Sequence, residues 1–124
     1  MLHSPGFLKL VEAAKKDVKE LPIAELKGRL AQGAVLIDVR EESEWAQGHL
    51  PHATHLSKGI IERDIEQRHP KQDQALILYC GGGYRSILAA HNLQRMGYTQ
   101  ILSLEGGFRA WTEQKLPIVR DDEG

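Results

Sequence analysis

Hydrophobic positions along the 124-residue chain change period several times, and each change marks an element. Ser4-Pro5 reads as an N-cap followed by proline at the first helical position. Phe7, Leu10, Val11, Ala14 and Val18 then recur near helical spacing, which predicts an amphipathic first helix with Lys9, Lys15, Lys16 and Lys19 on a solvated face. Pro22 opens a second helix through Leu26 and Leu30, and Gly33 ends it because glycine accepts the left-handed C-terminal conformation.

Three later segments lose the helical period. Ala34-Val35-Leu36-Ile37, Ala75-Leu76-Ile77-Leu78-Tyr79 and Gln100-Ile101-Leu102-Ser103-Leu104 are short, apolar and β-branched, as expected of parallel strands buried on both faces. Between them lie a short helix around Glu41 to Gln47, a helix from about Lys58 to Arg68, and a strong helix from Ser86 to Met96 closed by Gly97. A last helix around Phe108 to Gln114 carries Phe108 and Trp111 as core anchors and precedes Pro117. The acidic run Asp121-Asp122-Glu123 is expected to fray. Strands alternating with helical crossovers predict an α/β fold, a central mostly parallel sheet with helices on both faces. No internal repeat or linker interrupts it.

Composition narrows the function classes. The length suits one domain with one hydrophobic core, and 41% hydrophobic with 27% charged residues argues against disorder. A formal net charge of -1 supplies no global field to attract nucleic acid or an anionic membrane, so neither is expected as a partner. The chain start lacks a basic segment followed by an apolar one, and no apolar run reaches membrane-spanning length; the expectation is a cytoplasmic protein. Cys80 is the only cysteine, so there is no internal disulfide, and its thiol is either a buried structural group or a reactive one.

The surroundings of Cys80 favour reactivity. Tyr79-Cys80-Gly81-Gly82-Gly83-Tyr84-Arg85-Ser86 lies between a buried strand and a helix, the edge at which open α/β sheets carry their sites. Three consecutive glycines let the backbone curl so that successive N–H groups converge on one point, a nest that binds an anion. The positive N-terminal end of the following helix and the guanidinium of Arg85 add to that field and favour a Cys80 thiolate. The same features would therefore hold an anion and activate the sulfur, which points to transfer through a cysteine-bound anion. An inert core thiol would need neither Arg85 nor three glycines.

Four segments in order resemble the rhodanese family, over roughly residues 22–117. They are Ile37-Asp38-Val39-Arg40-Glu41, Glu44-Trp45-Ala46-Gln47-Gly48-His49-Leu50-Pro51-His52-Ala53, the Cys80 to Ser86 loop (a Cys-x-x-Gly-x-Arg-Ser pattern), and Leu104-Glu105-Gly106-Gly107-Phe108-Arg109-Ala110-Trp111. The resemblance implies a three-layer rhodanese-like fold, with residues 1–20 as an N-terminal helical extension, 21–119 as the domain and 120–124 as an acidic tail. It also implies a ping-pong sulfurtransferase in which Cys80 takes the outer sulfur of a donor such as thiosulfate and passes it to cyanide or a thiol. The loop residues Gly81, Gly82, Gly83, Tyr84, Arg85 and Ser86 would form the substrate site. Arg85 would bind the donor anion and orient the loop, and Ser86 would cap the helix or donate to the sulfur. A protein thiol is a further candidate acceptor. No metal or organic cofactor is implied. His52 stands where the family often has glycine, and the three loop glycines supply no side chain to select the donor.

Other residues invite weaker readings. Asp38 and Arg40 at the first strand end are read as a structural pair. His49, His52 and His55 sit three apart, but Pro51 breaks any helix that would align them and no further ligand completes a metal set. Gly106-Gly107 is a tight turn, since no dinucleotide or Walker pattern surrounds it. Tyr84 is expected to form a wall of the site or to pack against the sheet, with packing preferred. Two rival functions stand beside sulfur transfer. A cysteine phosphatase or arsenate reductase also uses a thiolate under an arginine-ended loop, but relatives of that kind place one more residue between Cys and Arg than the four found here. A protein-binding or redox-sensing module would use the fold without turnover, although such domains usually lack the cysteine.

Overall fold

The computed structural model describes residues 3–121. The chain runs α1 (Pro5–Lys15), β1 (Lys19–Leu21), a 3-10 turn (Ile23–Glu25), α2 (Leu26–Ala31), β2 (Val35–Asp38), α3 (Glu42–Gln47), β3 (Thr54–His55), α4 (Ile61–Arg68), β4 (Leu76–Tyr79), α5 (Arg85–Arg95), β5 (Ile101–Leu104) and α6 (Gly107–Glu113). Five parallel strands form one sheet in the order β1-β5-β4-β2-β3.

The three apolar runs become the three central strands. Alternation along them divides the core into two layers. Ile37, Leu76, Leu78 and Ile101 face Val11 and Ala14 of α1, Ile61 and Ile65 of α4, and Ile87, Ala90 and Leu93 of α5. Leu36, Ile77, Tyr79 and Leu104 face Leu26 of α2 together with Phe108 and Trp111 of α6. The result is helix, sheet, helix, the expected α/β architecture.

Two strands were invisible in the pattern. Helical spacing suggested that α1 runs through Val18, yet it stops at Lys15, and Lys19–Leu21 pairs with β5, Glu20 opposite Ser103. Thr54–His55 pairs with Ile37 and Asp38. Both are edge strands of two or three residues, too short for a period to show; pairing with an already formed neighbour defines them. Pro22 precedes the 3-10 turn rather than opening α2 directly, and α4 begins at Ile61 instead of Lys58. Glu41 caps α3 in a reciprocal capping box with Glu44.

His52 has φ of +70°, a left-handed conformation that explains why glycine would suit this turn. The acidic run begins with an anchored residue: Asp121 accepts from Trp45 Nε1 at 2.9 Å and is 2.8 Å from His49 Nε2. Asp122 and Glu123, also expected to fray, lie outside the described residues. Among the described residues no helix is long and apolar enough to cross a membrane.

Candidate active site

The carboxyl ends of β2, β4 and β5 deliver three loops to one edge of the sheet. Cys80 follows β4 directly and is buried at 1% exposure. Its Sγ receives the backbone N–H of Gly83 at 3.1 Å and of Ser86 at 3.3 Å, and Ser86 Oγ lies 3.4 Å away. Ser86 Oγ is in turn 2.8 Å from Ser103 Oγ on β5, and both serines are buried. With Sγ as thiolate, the Ser86 hydroxyl donates to sulfur and accepts from Ser103, which fixes the direction of the chain of hydrogen bonds. α5 begins at Arg85, so Ser86 sits inside its first turn; the helix has no side-chain cap, and Ser86 serves the sulfur instead. The positive end of an eleven-residue helix thus abuts Sγ.

The loop needs its glycines for two different reasons. Gly83 has φ of +99°, and a Cβ there would lie 3.3 Å from the Gly106 nitrogen. Gly81 has no such dihedral demand, but a Cβ would meet Arg85 Nη2 at 3.0 Å. The loop is also braced from outside. Phe108 N–H donates to the Cys80 carbonyl and Arg109 N–H to the Gly81 carbonyl, both at 2.8 Å. Gly106 and Gly107, at φ +73° and +56°, make the turn that brings those amides in. Gly106-Gly107 is therefore the tight turn expected, and it acts on the loop as well as on α6. Among the described residues no acceptor reaches the amides of Gly81, Gly82, Tyr84 or Arg85.

Arg85 lines the cavity above Cys80, and its guanidinium is paired with an acid that the sequence did not suggest. Its Nη1 and Nη2 donate to Glu44 Oε1 at 2.7 Å and Oε2 at 3.0 Å, a bidentate pair between α5 and α3. The Glu44 hydrogen bonds hold the guanidinium above its usual range, and Arg85 in return holds the Glu44 carboxyl below its own. This orients the loop but commits the charge. Arg40 is likewise committed: its backbone N–H and Nε donate to Asp38 Oδ1, Nε and Nη2 to Oδ2, and Nη2 to the Gly48 carbonyl. Burial lowers the Arg40 guanidinium, and the Asp38 bonds and charge more than offset this. Asp38 and Arg40 form the structural pair expected, with the Arg40 guanidinium stacked over Phe108 at 4.1 Å.

A cavity of about 900 Å³ opens above Cys80. Tyr84 stands at its mouth, 37% exposed, edge-on to His3 at 4.9 Å and 6.3 Å from Phe7. It forms part of the cavity wall, one of the two roles expected of it, and packs on the N-terminal segment instead of the sheet. His3, Phe7, Glu44, Arg109 and Thr112 line the cavity and were not assigned to the site from sequence. Only Glu44 and Arg109 carried a signal, since both stand inside the segments that resemble the family. His49 stacks on Trp45 at 3.5 Å and bonds to the Leu50 carbonyl and Asp121, while His55 Nε2 donates to the Arg40 carbonyl. The histidines thus support the loop between β2 and β3.

A family model described as the rhodanese-like domain matches residues 22–114. A protein described as a sulfurtransferase, from Allochromatium vinosum, is 36% identical over 104 residues, 82% of this chain and 95% of its own. Thiosulfate sulfurtransferase GlpE of Pseudomonas syringae pv. syringae is 33% identical over 95 residues, 77% of this chain and 88% of its own. Among solved structures, a protein of unknown function from Rhodopseudomonas palustris, described as a possible tyrosine phosphatase, superposes with a TM-score of 0.81. It shares 29% identity and covers 96% of this chain and 98% of its own.

Proposed function

The chain belongs to the rhodanese-like domain family and its activity is sulfur transfer; from that premise we propose that Cys80 is the carrier, alternating between thiolate and persulfide. The thiolate attacks the outer sulfur of a donor such as thiosulfate; the new Cys80 S–S bond forms as the donor's S–S bond breaks, and sulfite leaves with the electron pair. Cyanide or a thiolate then attacks the outer sulfur of the persulfide, and the Cys80 thiolate departs. Each step conserves charge, so no metal, redox cofactor or general acid is required.

The observation that carries this reading is the triple reception of Sγ by Gly83 N–H, Ser86 N–H and Ser86 Oγ at the start of α5. Such a cradle stabilises sulfur in its leaving-group form, which the second step needs. The amides of Gly81, Gly82, Tyr84 and Arg85 remain available as donors to the persulfide's terminal sulfur, in keeping with the substrate role assigned to this loop. Four residues between Cys80 and Arg85 suit one sulfur atom better than a tetrahedral phosphoryl group, and Arg85 is already paired with Glu44. Both points argue against phosphatase chemistry.

Incubation of the wild type and Cys80→Ser with thiosulfate, followed by intact mass measurement and cyanide, tests the cycle. One added sulfur atom on the wild type alone, discharged as thiocyanate, is expected. An absent adduct, or aryl phosphate turnover abolished in Cys80→Ser, would overturn it.

A further inference from the structure

Three arginines border the cavity above Cys80, and two of them have their charge neutralised in place. Arg40 is held by Asp38, and Arg85 by Glu44. Arg109 has no acidic partner among the described residues. Its backbone is tied to the loop through the 2.8 Å bond to the Gly81 carbonyl, and its guanidinium reaches back over the same loop: a Cβ on Gly82 would lie 3.5 Å from Arg109 Nη2 and 3.8 Å from Cζ. It is thus the cationic side chain at the cavity whose charge is not already cancelled.

We propose that Arg109 of α6, and not Arg85, is the residue that binds the anionic head of the sulfur donor. A donor must approach with its outer sulfur towards Cys80 and its charged head away from the thiolate, because two anions repel at close range. Arg109 stands on the cavity wall beside Gly82, the loop residue two positions past Cys80, where such a head would rest. Its fork of five donors matches a sulfonate or carboxylate, and Gly82 leaves the space between open because it has no side chain. Donor selection, which the glycine loop cannot perform, thereby passes to the C-terminal helix. The identity of the donor as a sulfur compound rests on the proposed function; the anion site itself does not.

Alkylation of Cys80 separates the two. Iodoacetate and iodoacetamide are nearly the same size and differ by one negative charge. The ratio of their rates at one pH cancels the thiolate fraction and any general change in loop accessibility. Arg109 is exposed, so Arg109→Gln is compatible with folding. In Arg109→Gln the iodoacetate to iodoacetamide ratio is expected to fall about tenfold at low salt, the size of one screened charge contact, and Arg109→Lys should retain most of it. Persulfide formation from thiosulfate should show a raised half-saturation concentration in Arg109→Gln with little change in the limiting rate. An unchanged ratio, or equal slowing of both reagents, would overturn the proposal and leave Arg109 as a brace. A lowered ratio without persulfide from thiosulfate would keep the anion site and overturn the proposed Cys80 persulfide cycle with thiosulfate as donor instead.

Discussion

Gly107→Ala is the substitution that tests the bracing of the active loop most directly. Gly107 sits at φ +56°, where an alanine costs about 1 kcal/mol more than glycine. The added methyl would overlap the Cys80 carbonyl oxygen and come within 3.1 Å of the Gly81 carbonyl oxygen, both of them backbone atoms with no rotamer to change. Relief requires α6 and the loop to separate, which weakens the 2.8 Å bonds from Phe108 N–H and Arg109 N–H. Each is worth about 1 kcal/mol. The expected loss is therefore about 3 kcal/mol, a large part of a single domain's stability. Urea unfolding should show a midpoint lower by roughly 1.5 M, given a slope near 2 kcal/mol per M for a domain of this size. Sulfur transfer should fall by about two orders of magnitude, because a loop displaced by an ångström no longer holds Sγ against its donors. Gly28→Ala is the matched control. Gly28 lies inside α2 with open space where a Cβ would go, so the same chemical change should stabilise by about 0.5–1 kcal/mol. A Gly107→Ala midpoint equal to that of the wild type, with activity intact, would refute the bracing argument.

Two further predictions concern the ion pairs. Asp38→Asn leaves Arg40, 3% exposed, without its counter-charge and should destabilise by about 3–5 kcal/mol in chemical denaturation, with the double change Asp38→Leu, Arg40→Met recovering part of the loss. Because Arg85 holds the folded Glu44 carboxyl below its ordinary 4.5, that pair contributes stability above pH 4.5 and loses it as pH falls through the lowered folded value. The wild-type advantage over Glu44→Gln in urea midpoint should therefore be full at neutrality and vanish in acid; a pH-independent difference would contradict the assignment.

What could be read from the order of residues is what depends on neighbours in the chain. Ile77 and Leu78 are buried on opposite faces of one strand, so β4 declares itself as an unbroken apolar run, and β2 and β5 do likewise. The Cys80 loop is equally local: glycines, cysteine and helix start lie within seven positions, and two of the three donors to Sγ belong to residue 86. Composition could also say that the charge acting on a ligand had to be local, since the net charge is only -1.

Tertiary structure decided which charges are spent. Arg85 and Glu44 are separated by 41 positions, and only the tertiary fold brings them together as an ion pair at the cavity. The register between β1 and β5 sets Lys19–Leu21 beside Leu102–Leu104, although three residues are too few for a strand period to show in the sequence. His3 and Phe7 reach the cavity because α1 packs on α5, and Arg109 does so because Gly106-Gly107 swings α6 against the carbonyls of Cys80 and Gly81. Spacing along a chain encodes local geometry, whereas the partner of a long charged side chain is set by whichever distant element the core brings within its reach.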